Sequence, residues 1–476
     1  MSHQSSSQID LAAQTLSRYF GYQEFREGQQ VIVNSILKGH DTLAIRSTGS
    51  GKSICFQVPA LSFSGLTIVI SPLISLMADQ VSALKKRNIP AAFLNSSLSA
   101  AENKQIMEQL GKNFYKLIYL SPEKLSSAKF VLFLKQLKIS FIAVDEAHCI
   151  SMWGHDFRPS YNKIPLFINQ LAVRPIVAAF TATATFRIQQ DIIQALQLQQ
   201  PNIFKQSSLR TNLCLNVIPC ASKAEKQLVL IKLLKKFKTD TGIIYCSTRN
   251  STEAMANMIN QLNIKQQLTD SRAEPYHGGL ESAQRAQIQE NFLTNKIKLI
   301  CATNAFGMGV DKSDIRFVIH YELPANLENY YQEVGRAGRD GKKSACFLLF
   351  WKHDVAIQQG LLINKSKQRY KIESKKLQTI VQAMTKGDCL QQTLAHYFGD
   401  QLDHPCGECG FCQNFQLALS DDEQEVWQQI TQHPILSKLP FQSQYFISLL
   451  NPTSTEEWQK IPGIGQGVME NLFSPI

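Results

Sequence analysis

Long apolar runs are missing from this chain. No stretch approaches the ~18 apolar residues of a membrane-spanning helix. The polar, Ser-rich residues 1–8 have neither the apolar core nor the cleavage site of a secretory leader. The expectation is therefore a protein that is neither secreted nor embedded in a membrane. Cysteine is sparse, with 11 in 476 residues, too dilute for a disulfide scaffold in so long a chain. Acidic residues are outnumbered, 38 Asp and Glu against 49 Lys and Arg, for a formal charge of +11. That balance suits a polyanionic partner, nucleic acid before membrane. What is abundant is apolar material, 44% of the composition, far more than a disordered chain carries. At ~150 residues per domain the length suggests roughly three domains.

From residue 41 to 184, short β-branched runs alternate with helix-like stretches: 42–45, 66–70, 117–120, 141–144 and 176–180. They are continuously apolar, as strands covered on both faces of a parallel sheet are. A second series follows at 242–245, 298–302, 317–321 and 345–350. Two α/β domains in tandem are expected, with the boundary near Gln206, after a polar helix ending at Gln199-Gln200-Pro201. Beyond Trp351 the strand signal stops. Residues 365–398 are polar and basic with helical spacing, and a group of four cysteines closes them. No internal repeat at solenoid spacing is present.

The run Arg46-Ser47-Thr48-Gly49-Ser50-Gly51-Lys52-Ser53 follows a strand and precedes a helix expected over 54–61. Glycines let the backbone wrap a phosphate, and successive N–H groups at a helix N-terminus supply positive potential. Lys52 is expected on the β- and γ-phosphates and the Ser53 hydroxyl on Mg²⁺. The strict pattern has Gly where this chain has Arg46. An ordinary Gly-rich turn is the alternative, which the strand–turn–helix context disfavours. Asp145-Glu146-Ala147-His148 ends the apolar run 141–144. A carboxylate there, opposite a phosphate loop, holds Mg²⁺ through Asp145, and Glu146 is placed to polarise the attacking water.

This pair of motifs resembles that of superfamily 2 helicases, and further details narrow the resemblance to the RecQ family, over residues 19–412. It implies two tandem RecA-like parallel-sheet domains (1–206 and 207–350) and a helical zinc-binding subdomain (351–416); the amphipathic stretches of 417–476 read as a short helical tail, expected to be too short for the full winged-helix domain that many RecQ proteins carry. Residues 20–29, Phe-Gly-Tyr-Gln-Glu-Phe-Arg-Glu-Gly-Gln, resemble the family's adenine-recognition motif. The resemblance implies Tyr22 stacking on the base, Arg26 beside it and Gln29 pairing with the adenine edge. Gln332-Glu333-Val334-Gly335-Arg336-Ala337-Gly338-Arg339 resembles the motif whose arginines face the γ-phosphate across the interdomain cleft. Arg339 is the implied finger and Arg336 its partner. Residues 181–184, with Thr181 and Thr183, resemble the motif linking the ATP site to nucleic acid. Residues 302–311 fill the corresponding place in the second domain. The run 149–159 resembles the aromatic-rich loop of RecQ proteins. Trp153 and Phe157 offer faces for unpaired bases, each worth ~1–3 kcal/mol, and Arg158 adds charge. An ordinary core Trp and Phe in a folded-down loop are the alternative.

Seven cysteines are scattered, mostly in apolar runs, and read as small hydrophobes of a reducing compartment. The other four stand apart: Cys389, then sixteen residues, then Cys406-Gly407-Glu408-Cys409-Gly410-Phe411-Cys412. Four thiolates suit tetrahedral Zn²⁺ with no open position, a structural site, and the spacing matches the RecQ zinc-binding subdomain. A redox pair leaves Cys389 unexplained. In the tail, residues 458–465 resemble either a hairpin turn offering N–H groups to a phosphate or a small packing bundle.

The reading is an ATP-dependent DNA helicase that moves 3′-to-5′ on single-stranded DNA and unwinds duplex or branched DNA in recombination and repair, using ATP, Mg²⁺ and Zn²⁺. Polarity and DNA preference rest on the resemblance, as does a nucleoid-associated cytoplasmic or a nuclear location. The alternatives are an RNA-directed motor of the same superfamily and a nucleic-acid binder with a vestigial ATPase.

Overall fold

The computed structural model describes residues 11–415, apart from 48, 96–97, 155, 267–268, 308–309 and 311. The expected helical tail and its turn at 458–465 lie outside the described residues. Two parallel sheets organise the chain. The first holds β1 (Thr42–Ile45), β2 (Leu66–Ile70), β3 (Ala91–Leu94), β4 (Leu117–Leu120), β5 (Ile139–Val144), β6 (Ile176–Thr181) and β7 (Asn202–Lys205), ordered β3-β4-β2-β5-β6-β1-β7. The second holds β8 (Leu213–Cys220), β9 (Gly242–Tyr245), β10 (Ala273–Tyr276), β11 (Leu299–Ala302), β12 (Phe317–His320) and β13 (Ser344–Trp351), ordered β10-β11-β9-β12-β13-β8. Among the described residues, every strand pairing within each sheet is parallel.

Strand residues divide alternately between two cores, as the two-residue period of a strand dictates. In the first sheet Ile68, Ile70, Ile142 and Val144 enter one core while Val69, Phe141 and Ala143 enter the other. Both faces are therefore apolar, which is why these strands read as continuous runs. Because all strands run the same way, the segments following β1, β2, β5 and β6 emerge at one rim, where parallel α/β sheets bind ligands.

The second sheet has the same two-faced construction, but one of its covers comes from further along the chain. Leu377, Ile380, Leu390, Leu394 and Phe398 pack with Leu215, Ile243, Ile300 and Val318 in one continuous core. Cys389 and Cys409 belong to it as well. The cysteine-bearing region is thus a lid on the second sheet.

Three expected elements differ in detail. The helix after the phosphate loop runs Lys52–Ser62 rather than 54–61. The polar helix expected to reach residue 200 ends at Ala195, because Gln197 and Gln200 take left-handed backbone angles, and the chain then forms β7. The helical stretch 365–398 divides into Lys367–Thr385 and Leu390–Tyr397, with Gly387 at φ 81° between them.

Candidate active site and nucleic-acid interface

The phosphate loop leaves β1 and turns into the helix Lys52–Ser62. Gly49 and Gly51 have φ of 82° and 79°, angles that glycine adopts without strain. Both also make room. A methyl group on Gly49 would stand 3.0 Å from Arg339 Cδ, and one on Gly51 would collide with the Gln29 amide. Lys52 Nζ donates to the Arg46 carbonyl at 3.1 Å. Thr48 lies outside the described residues.

Arg46, the departure from the expected glycine, is buried. Its Nη2 donates to the Glu27 carbonyl at 2.8 Å, and Gly28 has no side chain to block it. The phosphate loop is therefore tied to residues 22–29. Arg26 Nη1 donates to the Gly49 carbonyl at 3.0 Å. Gln29 Nε2 donates to the Gly51 carbonyl at 3.0 Å, while its oxygen accepts from the Arg26 N–H. In this conformation the Gln29 amide is turned onto the loop. Tyr22 is 47% exposed, open to a stacking partner.

Asp145 and Glu146 follow β5 at the same rim. Burial pushes the Asp145 carboxyl up to about 7, and neighbouring Glu146 adds to the rise. Burial acts in the same direction on Glu146, but His148 with Lys52 and Arg336 outweighs it and holds that carboxyl low. The pair thus divides into one carboxyl raised and one kept charged. Glu146 sits at φ 46°. His148 Nδ1 lies 3.3 Å from its carboxylate and 2.9 Å from Thr181 Oγ1. Thr181 in turn donates to the Thr183 carbonyl at 3.0 Å, so the segments after β5 and β6 are hydrogen-bonded together.

Arg336 and Arg339 arrive from the second sheet. Arg336 Nη1 donates to the Gly307 carbonyl, and Gly307, at φ 134°, leaves the space that its guanidinium occupies. Arg339 Nη1 donates to the Val310 carbonyl at 2.7 Å. A cleft of about 530 Å³ results, lined by Tyr22, Gln29, Lys52, Ser53, Asp145, Glu146, Arg336 and Arg339 among others. Its size suits a small-molecule ligand. Gly309 lies outside the described residues.

The aromatic loop is folded down rather than splayed open. Trp153 is half-buried against the first core, and the Arg187 guanidinium lies over its ring, 3.8 Å from the centroid. Arg158 is paired with Asp156 at 2.9 Å and donates to the Pro72 carbonyl at 3.0 Å. Phe157 is half-buried. The loop's backbone is gripped from the cysteine-bearing region. Arg369 donates to the carbonyls of Met152 and Gly154, and Lys376 to that of Trp153. Lys376 also pairs with buried Glu328 at 2.9 Å. Sequence reading missed Arg46, Arg187, Arg369 and Lys376; only the imperfect loop pattern at Arg46 offered a signal.

The four sulfurs of Cys389, Cys406, Cys409 and Cys412 lie within 4.8 Å of one another. The separations Cys406–Cys412, Cys389–Cys409 and Cys409–Cys412 are 3.9, 3.9 and 3.5 Å. Tetrahedral bonds of ~2.3 Å to zinc place sulfurs about 3.8 Å apart, so the residues fit the ion. Backbone N–H groups of Cys406 and Cys409 donate to sulfurs at 3.2 and 3.3 Å, which favours thiolates. Gly407 sits at φ 71° and relieves the turn. Gly410 serves differently: a side chain there would strike Asn216 of β8.

Three family models match in chain order: DEAD/DEAH box helicase over 26–192, helicase conserved C-terminal domain over 225–341, and RecQ zinc-binding over 352–413. The ATP-dependent DNA helicase RecQ of Bacillus subtilis is 41% identical over 409 residues, covering 86% of this chain and 68% of that protein. This chain belongs to the RecQ family of ATP-dependent DNA helicases. The Pasteurella multocida RecQ is 42% identical, covering 84% of this chain and 62% of its own length. Our RecQ-family chain thus spans about two thirds of these relatives. Among solved structures, the Mycobacterium smegmatis helicase Lhr, bound to ssDNA and AMP-PNP, superposes with a TM-score of 0.58 at 16% identity, over 83% of this chain and 56% of Lhr. That likeness concerns the fold. No helix among the described residues is long and apolar enough to cross a membrane.

Proposed function

We propose that this RecQ-family chain is a DNA-stimulated ATP hydrolase that moves 3′-to-5′ along single-stranded DNA and unwinds duplex or branched DNA in recombination and repair. The observation that carries the proposal is the cleft lined by Lys52, Asp145 and Glu146 from one sheet and Arg336 and Arg339 from the other. Phosphoryl transfer needs positioning and charge stabilisation more than covalent chemistry. Lys52 and the loop N–H groups hold the phosphates. Ser53 and Asp145 would hold Mg²⁺, which would supply charge neutralisation at the phosphate oxygens. Glu146 orients the attacking water. Arg339, with Arg336 beside it, stabilises the transferring group, a contribution worth about 10³–10⁵ in rate for such arginines. Since they come from the second domain, turnover is tied to closure of the cleft.

Gln29, Arg26 and Tyr22 select adenine. Trp153, Phe157 and Arg158 meet the unpaired strand, and the His148–Thr181 contact carries that signal to Glu146. Domain limits near 206, 350 and 416 belong to the same reading. Strand-separation assays with 3′-tailed DNA, 5′-tailed DNA and RNA duplexes test it. Unwinding of the 3′-tailed DNA alone is expected. Preference for the 5′ tail or for RNA overturns it.

A further inference from the structure

Ser53 does not stand alone in the cleft. Gln80, on the helix Ile74–Lys86, donates from Nε2 to Ser53 Oγ at 2.9 Å. The other end of this amide is held by two further side chains. Gln57 Nε2 donates to Gln80 Oε1 at 2.7 Å, and the Tyr119 hydroxyl lies 3.4 Å from the same oxygen. Gln57 also donates to Tyr119 at 3.0 Å. Both Gln57 and Tyr119 are buried, so water does not compete for them. In this arrangement the Gln80 oxygen accepts from Gln57 and Tyr119, and its NH₂ faces Ser53.

This has a chemical consequence for the serine. A hydroxyl that accepts one hydrogen bond keeps a second lone pair for a cation, and its rotamer is held. Ser53, Gln57, Gln80 and Asp145 all line the same cleft.

We propose that Gln80 is a positioning residue for the cation ligand Ser53, its amide locked by Gln57 and Tyr119 so that the hydroxyl is aligned before Mg²⁺ and nucleotide arrive. The proposal rests on the reading of Ser53 as a Mg²⁺ ligand. Groups that orient a metal ligand without touching the metal typically contribute about 10- to 100-fold to its affinity.

The test uses the full chain, with a fluorescent ADP analogue (mant-ADP) as probe and MgCl₂ titrated into EDTA-treated protein. Gln80→Met keeps side-chain volume and removes the hydrogen bonds. The expected result is a Mg²⁺ midpoint raised at least about tenfold with metal-free mant-ADP affinity unchanged. Gln57→Leu, which frees the amide to flip, is expected to shift the midpoint the same way by less. Ser53→Ala is expected to shift it also, and Ser53→Ala/Gln80→Met no further, since residues acting through one another are not additive. A wild-type Mg²⁺ midpoint in Gln80→Met overturns the inference while a shifted Ser53→Ala leaves the Ser53 reading standing. Additive losses in the double variant, or an equal loss of metal-free affinity, overturn it too by pointing to packing alone. If Ser53→Ala itself leaves the Mg²⁺ midpoint untouched, the reading of Ser53 fails and the inference falls with it.

Discussion

The Arg187 guanidinium carbon stands over the Trp153 indole, 3.8 Å from its centroid, where an unpaired base is proposed to stack. An arginine over an aromatic face gains about 0.5–2 kcal/mol, the same order as a stacked base. The two therefore compete for one surface. Arg187→Ala is expected to lower the single-stranded DNA concentration needed for half-maximal ATPase by severalfold, whereas Trp153→Ala removes the stimulation. Unchanged DNA dependence in both variants returns Trp153 to an ordinary packing role.

Grip on the loop backbone gives a second expectation. Arg369 holds two of its carbonyls and pairs with Glu373 at 2.5 Å. Arg369→Ala frees the segment from the cysteine-bearing region. The ratio of DNA-stimulated to unstimulated ATPase is expected to change by about fivefold or more, the lower end of ordinary coupling energies. An unaltered ratio in a folded variant shows that the grip carries no signal.

Substitution at Glu146 and at Lys52 distinguishes water activation from phosphate anchoring in the proposed mechanism. Glu146→Gln is expected to bind ATP normally and to lose hydrolysis, because the amide cannot polarise water. Lys52→Ala is expected to lose both. Near-normal DNA-stimulated turnover in Glu146→Gln removes that carboxylate from the proposed mechanism.

Zinc content should be one ion per chain by elemental analysis. Cys389 and Cys409 sit in the core of the second sheet, so their release uncovers apolar strand surface as well as a coordination site. Thiolate coordination in a small subdomain is folding free energy. Cys409→Ser is therefore expected to lower the melting temperature and solubility before it alters nucleotide affinity. Full stability without metal refutes this.

Acid should loosen one particular junction. Asp400 accepts from Lys205 at 2.6 Å and from Ser208 at 2.6 Å. Burial opposes its charge, but those partners outweigh burial and hold the carboxyl below the ordinary range. A carboxyl lowered on folding adds stability above its unfolded value, about 3.9, and loses it as pH falls through the folded value. Asp400→Asn should cost about 1 kcal/mol near neutrality after solvent screening, with the gap to the parent closing below about pH 4. Urea midpoints at several pH values measure it, and a constant gap contradicts it.

The central strands, and the runs that line the cleft, are legible because each is a short, contiguous run with its own chemistry. The four strands that sequence reading missed, β3, β7, β8 and β10, are the four sheet edges. An edge strand pairs on one side only and tolerates polar residues and proline. β7 is partly exposed, and β10 and β8 contain Pro275 and Pro219. The contacts of Arg369, Lys376 and Gln80 escaped for another reason. They join residues 215, 223 and 27 positions apart, and no local pattern announces a partner at that distance.

Glu146 carries a consequence of its own through its backbone. At φ 46° a side chain costs roughly 1 kcal/mol or more relative to glycine, while His148, Lys52 and Arg336 favour its charged carboxylate. Glu146→Gly should therefore lose turnover while gaining less in melting temperature than the backbone relief alone would give, because buried His148 is left without its counter-charge.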